Sequence, residues 1–155
     1  QCDSIEVSLH ESTFPYTSIK SIQTVLNTDG TVLCSFGTTG TYYVVIKFRN
    51  GLETWSANPI AITVSGGLYD FSSAVNKAFG DNQLEIEPGV FAIYSGDINQ
   101  DGSIDAFDYL LLEPEIVQGN FGYLITDLNG DGVVDAFDFL VMDDNIVNGI
   151  SLSTP

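Results

Sequence analysis

The chain has 155 residues, 44 % of them hydrophobic, enough for one large or two small domains with real cores. Four Lys and Arg against 21 Asp and Glu give a formal charge of −17, which excludes nucleic acid and anionic membrane surfaces as partners, since both require basic patches. No apolar run approaches the roughly 18 residues of a membrane span, and the chain starts at Gln1 without a signal peptide, so it reads as a processed, exported product found outside the cell or on its surface.

Residues 1–95 read as a β domain. Ile5-Glu6-Val7-Ser8-Leu9-His10 alternates apolar and polar residues, as does the stretch 19–26, which ends at the turn Asn27-Thr28-Asp29-Gly30. Further strands are expected at 31–36 and 41–50. Asn50-Gly51 is a type I′ hairpin signal that should join 42–49 to 52–56. Strands at 59–65, 68–72, 84–87 and 90–94 complete the set, with 76–80 ambiguous. Seven or eight strands at this spacing predict a β-sandwich similar to the small prealbumin-like or immunoglobulin-like sandwiches of bacterial surface proteins.

Cys2 and Cys34 form an even pair in strand-like sequence far apart, which suits a disulfide in an oxidising compartment; the alternative is two separate buried thiols. No catalytic constellation is apparent. His10 lies in an alternating strand without partners at metal or triad spacing. Glu53, Glu85 and Glu87 read as solvated acids rather than a glycosidase pair. Trp55 with Tyr42, Tyr43 and Tyr69 reads as core rather than a sugar-stacking platform. Lys47 has no local motif for an intramolecular isopeptide bond. The chain is expected not to be an enzyme.

From residue 96 onward one pattern is written twice, 30 residues apart: Asp97-Ile98-Asn99-Gln100-Asp101-Gly102-Ser103-Ile104-Asp105-Ala106-Phe107-Asp108 and Asp127-Leu128-Asn129-Gly130-Asp131-Gly132-Val133-Val134-Asp135-Ala136-Phe137-Asp138. A twelve-residue calcium loop needs oxygen ligands at positions 1, 3, 5, 9 and 12, a main-chain carbonyl at 7 and glycine at 6. The predicted ligands are Asp97, Asn99, Asp101, the Ser103 carbonyl, Asp105 and Asp108, and in the second copy Asp127, Asn129, Asp131, the Val133 carbonyl, Asp135 and Asp138. Oxygen ligands without His or Cys select a hard cation, and this number in a flexible loop favours calcium over magnesium. Asp at position 12, where Glu is usual, shortens the ligand's reach by one methylene. Ile104 and Val134 at position 8 are expected to pack inward and to pair the two loops. Helices are expected at 109–117 and 139–147. Glu113 and Asp143 fall at equivalent places near Glu115, Asp144 and Asn145; these either hold an accessory third calcium or are solvated helix ends.

Residues 96–155 resemble a dockerin type I module, a duplicated calcium-binding half EF-hand of secreted bacterial proteins. As in that family, the segments before the loops, such as Phe91-Ala92-Ile93-Tyr94, are not amphipathic helices. Positions 10 and 11 differ, being Ala106-Phe107 and Ala136-Phe137 where cohesin-binding dockerins commonly carry small polar residues. The phrase Val45-Ile46-Lys47-Phe48-Arg49-Asn50-Gly51-Leu52-Glu53-Thr54-Trp55-Ser56 before Tyr94-Ser95-Gly96-Asp97 is similar to C-terminal regions of secreted Bacteroidetes proteins.

The intact loop pair, the missing catalytic constellation and the apolar positions 10 and 11 together predict a non-enzymatic, calcium-binding extracellular structural protein, mainly β with a small α part. It would hold two calcium ions and assemble with copies of itself into a filament, tube or surface layer. One alternative is a calcium-dependent docking or cell-surface retention module of a larger secreted protein; another is a carbohydrate-binding accessory module.

Overall fold

The computed structural model describes residues 3–155, and the chain is mainly β with two helices. It divides into two compact units. The first takes in the described residues up to Phe48 together with Glu53–Ala92 and Ser153–Pro155; the second is Arg49–Leu52 with Ile93–Leu152.

The first unit is built on β1 (Asp3–Glu11), β2 (Ser18–Leu26), β3 (Gly40–Lys47), β4 (Thr54–Trp55) and β5 (Ile60–Ile62). They form one antiparallel sheet in the order β2-β1-β3-β4, with β5 also on β3. Directly paired residues share a face, so the pairs Val7↔Ile46, Leu9↔Val44 and Val7↔Ile22 gather one apolar face. Its core is Ile5, Val7, Leu9, Phe36 and Val44, with Val32, Cys34, Ile60, Ile62 and Phe71 packed against it. The opposite face carries Ser8, His10, Tyr43, Val45 and Trp55. His10 meets the Trp55 ring edge-on with centroids 4.4 Å apart, and Tyr43 lies 5.9 Å from Trp55, 5.9 Å from Tyr16 and 6.4 Å from Phe79.

The sandwich expectation is met only as a single main sheet plus a two-stranded ribbon of β6 (Leu84–Glu87) and β7 (Val90–Ala92). Residues 31–36 keep the period-two alternation that buries Val32, Cys34 and Phe36, yet only Val32 bridges to a strand, at Leu26. Side chains of β2 capture the carbonyls of this segment instead: Thr24 Oγ1 donates to Leu33 O at 3.1 Å, and the Lys20 ammonium donates to Phe36 O. The segment therefore covers the sheet rather than extending it. Residues 68–72 are likewise not a strand, and 76–80 fall in two single 3-10 turns, Val75–Lys77 and Phe79–Asp81. Among the described residues Cys34 is a free, half-buried thiol whose pKa burial raises. Cys2, and with it the predicted Cys2–Cys34 disulfide, lies outside the described residues.

In the second unit each loop of the duplicated pattern leads into a helix, α1 (Ala106–Gln118) and α2 (Ala136–Val147). These begin three residues before the expected starts, because Asp105 and Asp135 cap them. Each capping carboxylate accepts from the main-chain N–H of Phe107 or Phe137, and Asp108 or Asp138 answers to the cap's own N–H, which closes a capping box. Pro114 sits inside α1, where it removes one helical hydrogen bond, and α1 stops at Gly119, whose φ of 64° places it in the left-handed region. The core is Leu52, Ile98, Ile104, Leu112, Val134 and Met142, with Tyr109 and Phe139 meeting at 5.1 Å between ring centroids. Most of these residues are related by the 30-residue offset: Ile104 with Val134, Leu112 with Met142, Tyr109 with Phe139. Leu52 belongs to neither repeat.

The Asn50-Gly51 hairpin expectation needs correction. β3 and β4 do pair, through Val45↔Trp55 and Ile46↔Thr54, but neither Asn50 nor Gly51 has a positive φ, so the tip is not a type I′ turn. Its main chain pairs elsewhere, with Leu52 N donating to Tyr94 O at 2.8 Å and Gly96 N to Asn50 O at 2.7 Å.

Candidate metal centre

The two loops are folded by their own side chains. In the first, Asp97 Oδ1 accepts from Asp101 N at 3.1 Å and its Oδ2 from Gly102 N at 3.3 Å. Asn99 Oδ1 accepts from Asp101 N at 2.8 Å, and Asp101 Oδ1 from Ser103 N at 3.0 Å. The second loop repeats this but for one donor: Asp127 accepts from Gly130 N, one position earlier than in the first loop, and from Gly132 N, at 2.9 and 3.1 Å, Asn129 from Asp131 N at 2.8 Å, and Asp131 from Val133 N at 2.9 Å. Short Asp and Asn side chains are suited to such turns because they reach a main-chain N–H a few residues on. Gly102 and Gly132 make the sharp bend with φ of 90° and 85°, a region costly for other residues.

Position 12 closes each loop on its start. Asp108 Oδ1 accepts from Ile98 N and Asn99 N at 2.8 and 3.0 Å, while its Oδ2 accepts from Asp105 N at 3.0 Å. Asp138 does the same with Leu128 N, Asn129 N and Asp135 N at 2.7, 3.1 and 2.8 Å. Positions 1, 8 and 12 are buried in both copies: Asp97, Ile104 and Asp108, and Asp127, Val134 and Asp138. Positions 3 and 5, Asn99, Asp101, Asn129 and Asp131, are exposed, with Ser103, Asp105 and Asp135 half-buried and Val133 exposed.

Ile104 and Val134 pack inward as expected, but they do not pair with one another. Each loop pairs with the segment that follows the other repeat's helix. Ile104 N donates to Ile150 O at 2.9 Å and Leu152 N to Gly102 O at 2.7 Å, while Val134 N donates to Asn120 O at 2.9 Å and Gly122 N to Gly132 O at 2.8 Å. The two sets are related by the same 30-residue offset, so the pairing preserves the pseudo-symmetry while crossing the loops over.

Burial of carboxylates is costly without countercharge, and here the chain offers little. The four basic residues are Lys20, Lys47, Arg49 and Lys77, so none follows residue 77. Burial, and next the charge of nearby Asp108, push the Asp97 carboxyl up to about 6. Among the described residues no three His, Cys, Asp or Glu side chains form a metal cluster by themselves. A calcium loop also draws on amide and main-chain carbonyl oxygens, and each copy presents both, from Asn99 and Ser103 or from Asn129 and Val133. The donor chemistry therefore fits a hard divalent cation.

The remaining candidate residues take the following places. Asp143 is half-buried and Glu113 and Asp144 are exposed; Glu115 accepts from Asn120 Nδ2, and buried Asn145 donates to Ser95 O at 2.8 Å and Val141 O at 3.2 Å. His10 bonds Tyr16 O at 2.9 Å and Ser8 at 3.0 Å. Glu53 pairs with Lys47 at 3.6 Å and accepts from Trp55 Nε1 at 2.8 Å. Trp55 and Tyr43 are buried, which removes them as a sugar-stacking face. Sequence reasoning missed Asn50, which sits 1 % exposed among the main-chain carbonyls of the second loop's approach.

No match was found among curated proteins or among solved structures. Residues 95–147, which contain both loops and both helices, match the family model for the dockerin type I domain.

Proposed function

We propose that the chain is a calcium-dependent protein-docking module of an extracellular or cell-surface protein. Dockerin domains are non-catalytic, bind calcium and dock onto cohesin partners. The observation that carries the reading is the repeated loop geometry inside the matched segment, in which the side-chain hydrogen bonds that fold and close the first loop recur almost one for one in the second at a constant offset. Asp97, Asn99, Asp101, the Ser103 carbonyl, Asp105 and Asp108 would hold one ion, and Asp127, Asn129, Asp131, the Val133 carbonyl, Asp135 and Asp138 the other. Calcium neutralises the carboxylates; the chain's own contribution is to pre-set the turns and the helix starts on which the ligands sit.

The face offered to a partner is apolar. Phe107, Leu110 and Val117 of α1 and Phe137, Leu140 and Val147 of α2 are exposed at equivalent positions, with Phe107 at 66 % and Phe137 at 65 %. Neither helix carries a basic residue, and Glu113, Asp143 and Asp144 lie among these positions. A partner of this face would present an apolar surface with a basic rim. The match favours docking over the self-assembly expected from the sequence, and nothing among the described residues supports a filament. The experiment is binding of the chain to an immobilised type I cohesin domain, in millimolar calcium and after chelation, with sedimentation of the chain alone. Calcium-dependent capture that weakens by about tenfold or more in the F107A/F137A variant supports docking. Calcium-dependent polymers without capture would reverse the choice.

A further inference from the structure

The two loops are nearly symmetric in their ligands, yet their approaches are held differently. Before the first loop, the carbonyl of Ser95 accepts from Asn145 Nδ2 of α2 at 2.8 Å. The offset makes Ile125 the counterpart of Ser95 and Glu115 the counterpart of Asn145. Glu115 carries no amide N–H, and its carboxyl oxygen accepts from Asn120 Nδ2. The second loop thus lacks the amide that steadies the first.

Asn50 supplies it. Its Nδ2 donates to Ile125 O at 3.0 Å and to Asp127 O at 3.1 Å, the latter being the main chain of the second loop's first ligand position. Arg49 donates to Leu124 O, reaches Asp127 O at 3.5 Å and lies 4.2 Å from the centroid of the Tyr123 ring. The strap that carries them is fixed by the two main-chain bonds to Tyr94 and Gly96 and by Leu52, fully buried in the core. On the first-loop side the strap is held through its main chain, by Gly96 N on the Asn50 carbonyl and by Gln100 Nε2, which donates to Gly51 O at 3.2 Å and to Asp97 O at 2.6 Å, whereas the Asn50 side chain is directed to the second loop.

We propose that Asn50, more than 40 residues before the segment matched as a dockerin domain, is a positioning residue for the second calcium site: it holds the Asp127 main chain where the ligand side chain can reach the ion. The inference rests on the calcium reading above. It also makes the calcium module of this chain a two-segment unit, since the matched segment alone lacks the amide.

The test is calcium titration of the full chain in two backgrounds, Asp101→Ala, which leaves the second loop, and Asp131→Ala, which leaves the first. Both altered residues are exposed. Added to the first background, Asn50→Ala should weaken calcium about tenfold or more, the size expected on losing a group that orients a metal ligand; added to the second it should change affinity by less than about threefold. Equal weakening in both backgrounds would make Asn50 a structural staple only and overturn the proposal, as would no change in either. If Asn50→Ala does not fold, Asn50→Gln, which keeps the donor but displaces it by a methylene, is read in the same way. Should the parent chain and both single-loop variants bind no calcium, the calcium reading itself falls; calcium binding by the parent with an indifferent Asn50 removes only this inference.

Discussion

In the proposed calcium site Asp108 and Asp138 would each perform two tasks with one side chain. They accept three main-chain N–H groups that bind the start of a loop to its end, and they stand at the twelfth ligand position. Removing such an acceptor strands buried donors, at about 1–3 kcal/mol for each group left unpaired. In calcium-free buffer Asp108→Ala should therefore lower unfolding stability by about 2 kcal/mol or more, measured by denaturant titration. Asp101→Ala, at an exposed position, should cost well under half of that without calcium. With calcium both should weaken binding, which separates the structural task from the ligand task.

Loop and helix share residues at the scale of the element. Asp105 and Asp135 are the ninth loop positions and also the N-caps of α1 and α2, so a ligand change is also a helix change. Asp135→Ala should cost about 1 kcal/mol in calcium-free protein and fray the start of α2, visible as lost amide protection at Phe137 and Asp138. The cross-paired segments make a second prediction. Truncation after Asn148 removes the Ile150 carbonyl and the Leu152 N–H that hold the first loop, and should weaken its calcium binding more than that of the second. Titration in the two single-loop backgrounds reads the difference.

The loops were legible in the sequence because their chemistry is local: the acceptors at positions 1, 3 and 5 lie within five residues of their donors, the closing Asp108 and Asp138 reach no further than ten, and glycine marks the bend. The strands β1 and β2 and both helices were legible for the same reason, through alternation and repeat. What local reading could not supply is competition between distant partners. Asn50-Gly51 has the composition of a tight turn, but Tyr94 and Gly96 claim its main chain and the second loop claims its side chain. Residues 31–36 alternate like a strand, yet Thr24 and Lys20 occupy carbonyls a neighbouring strand would have needed. Ile104 and Val134 were expected to pair with each other because they are equivalent, whereas equivalence is equally preserved when each pairs across to the other repeat.

For the whole molecule the governing quantity is charge. Two divalent ions would cancel four charges and leave −13, and they would do so where carboxylates are buried. A ligand that binds only the folded state stabilises it by mass action, by about 2.7 kcal/mol per site at one hundred times Kd. Calcium at millimolar concentration should therefore raise the melting temperature, and the D101A/D131A double variant should not respond.

Calorimetric titration of calcium into the chelator-stripped chain is the most direct test of the paired loops as a metal centre. Two ions bound per chain, one in each of the Asp101→Ala and Asp131→Ala variants and none in the double variant, is the predicted result. No binding at millimolar calcium, or binding that persists unchanged in the double variant, would contradict it.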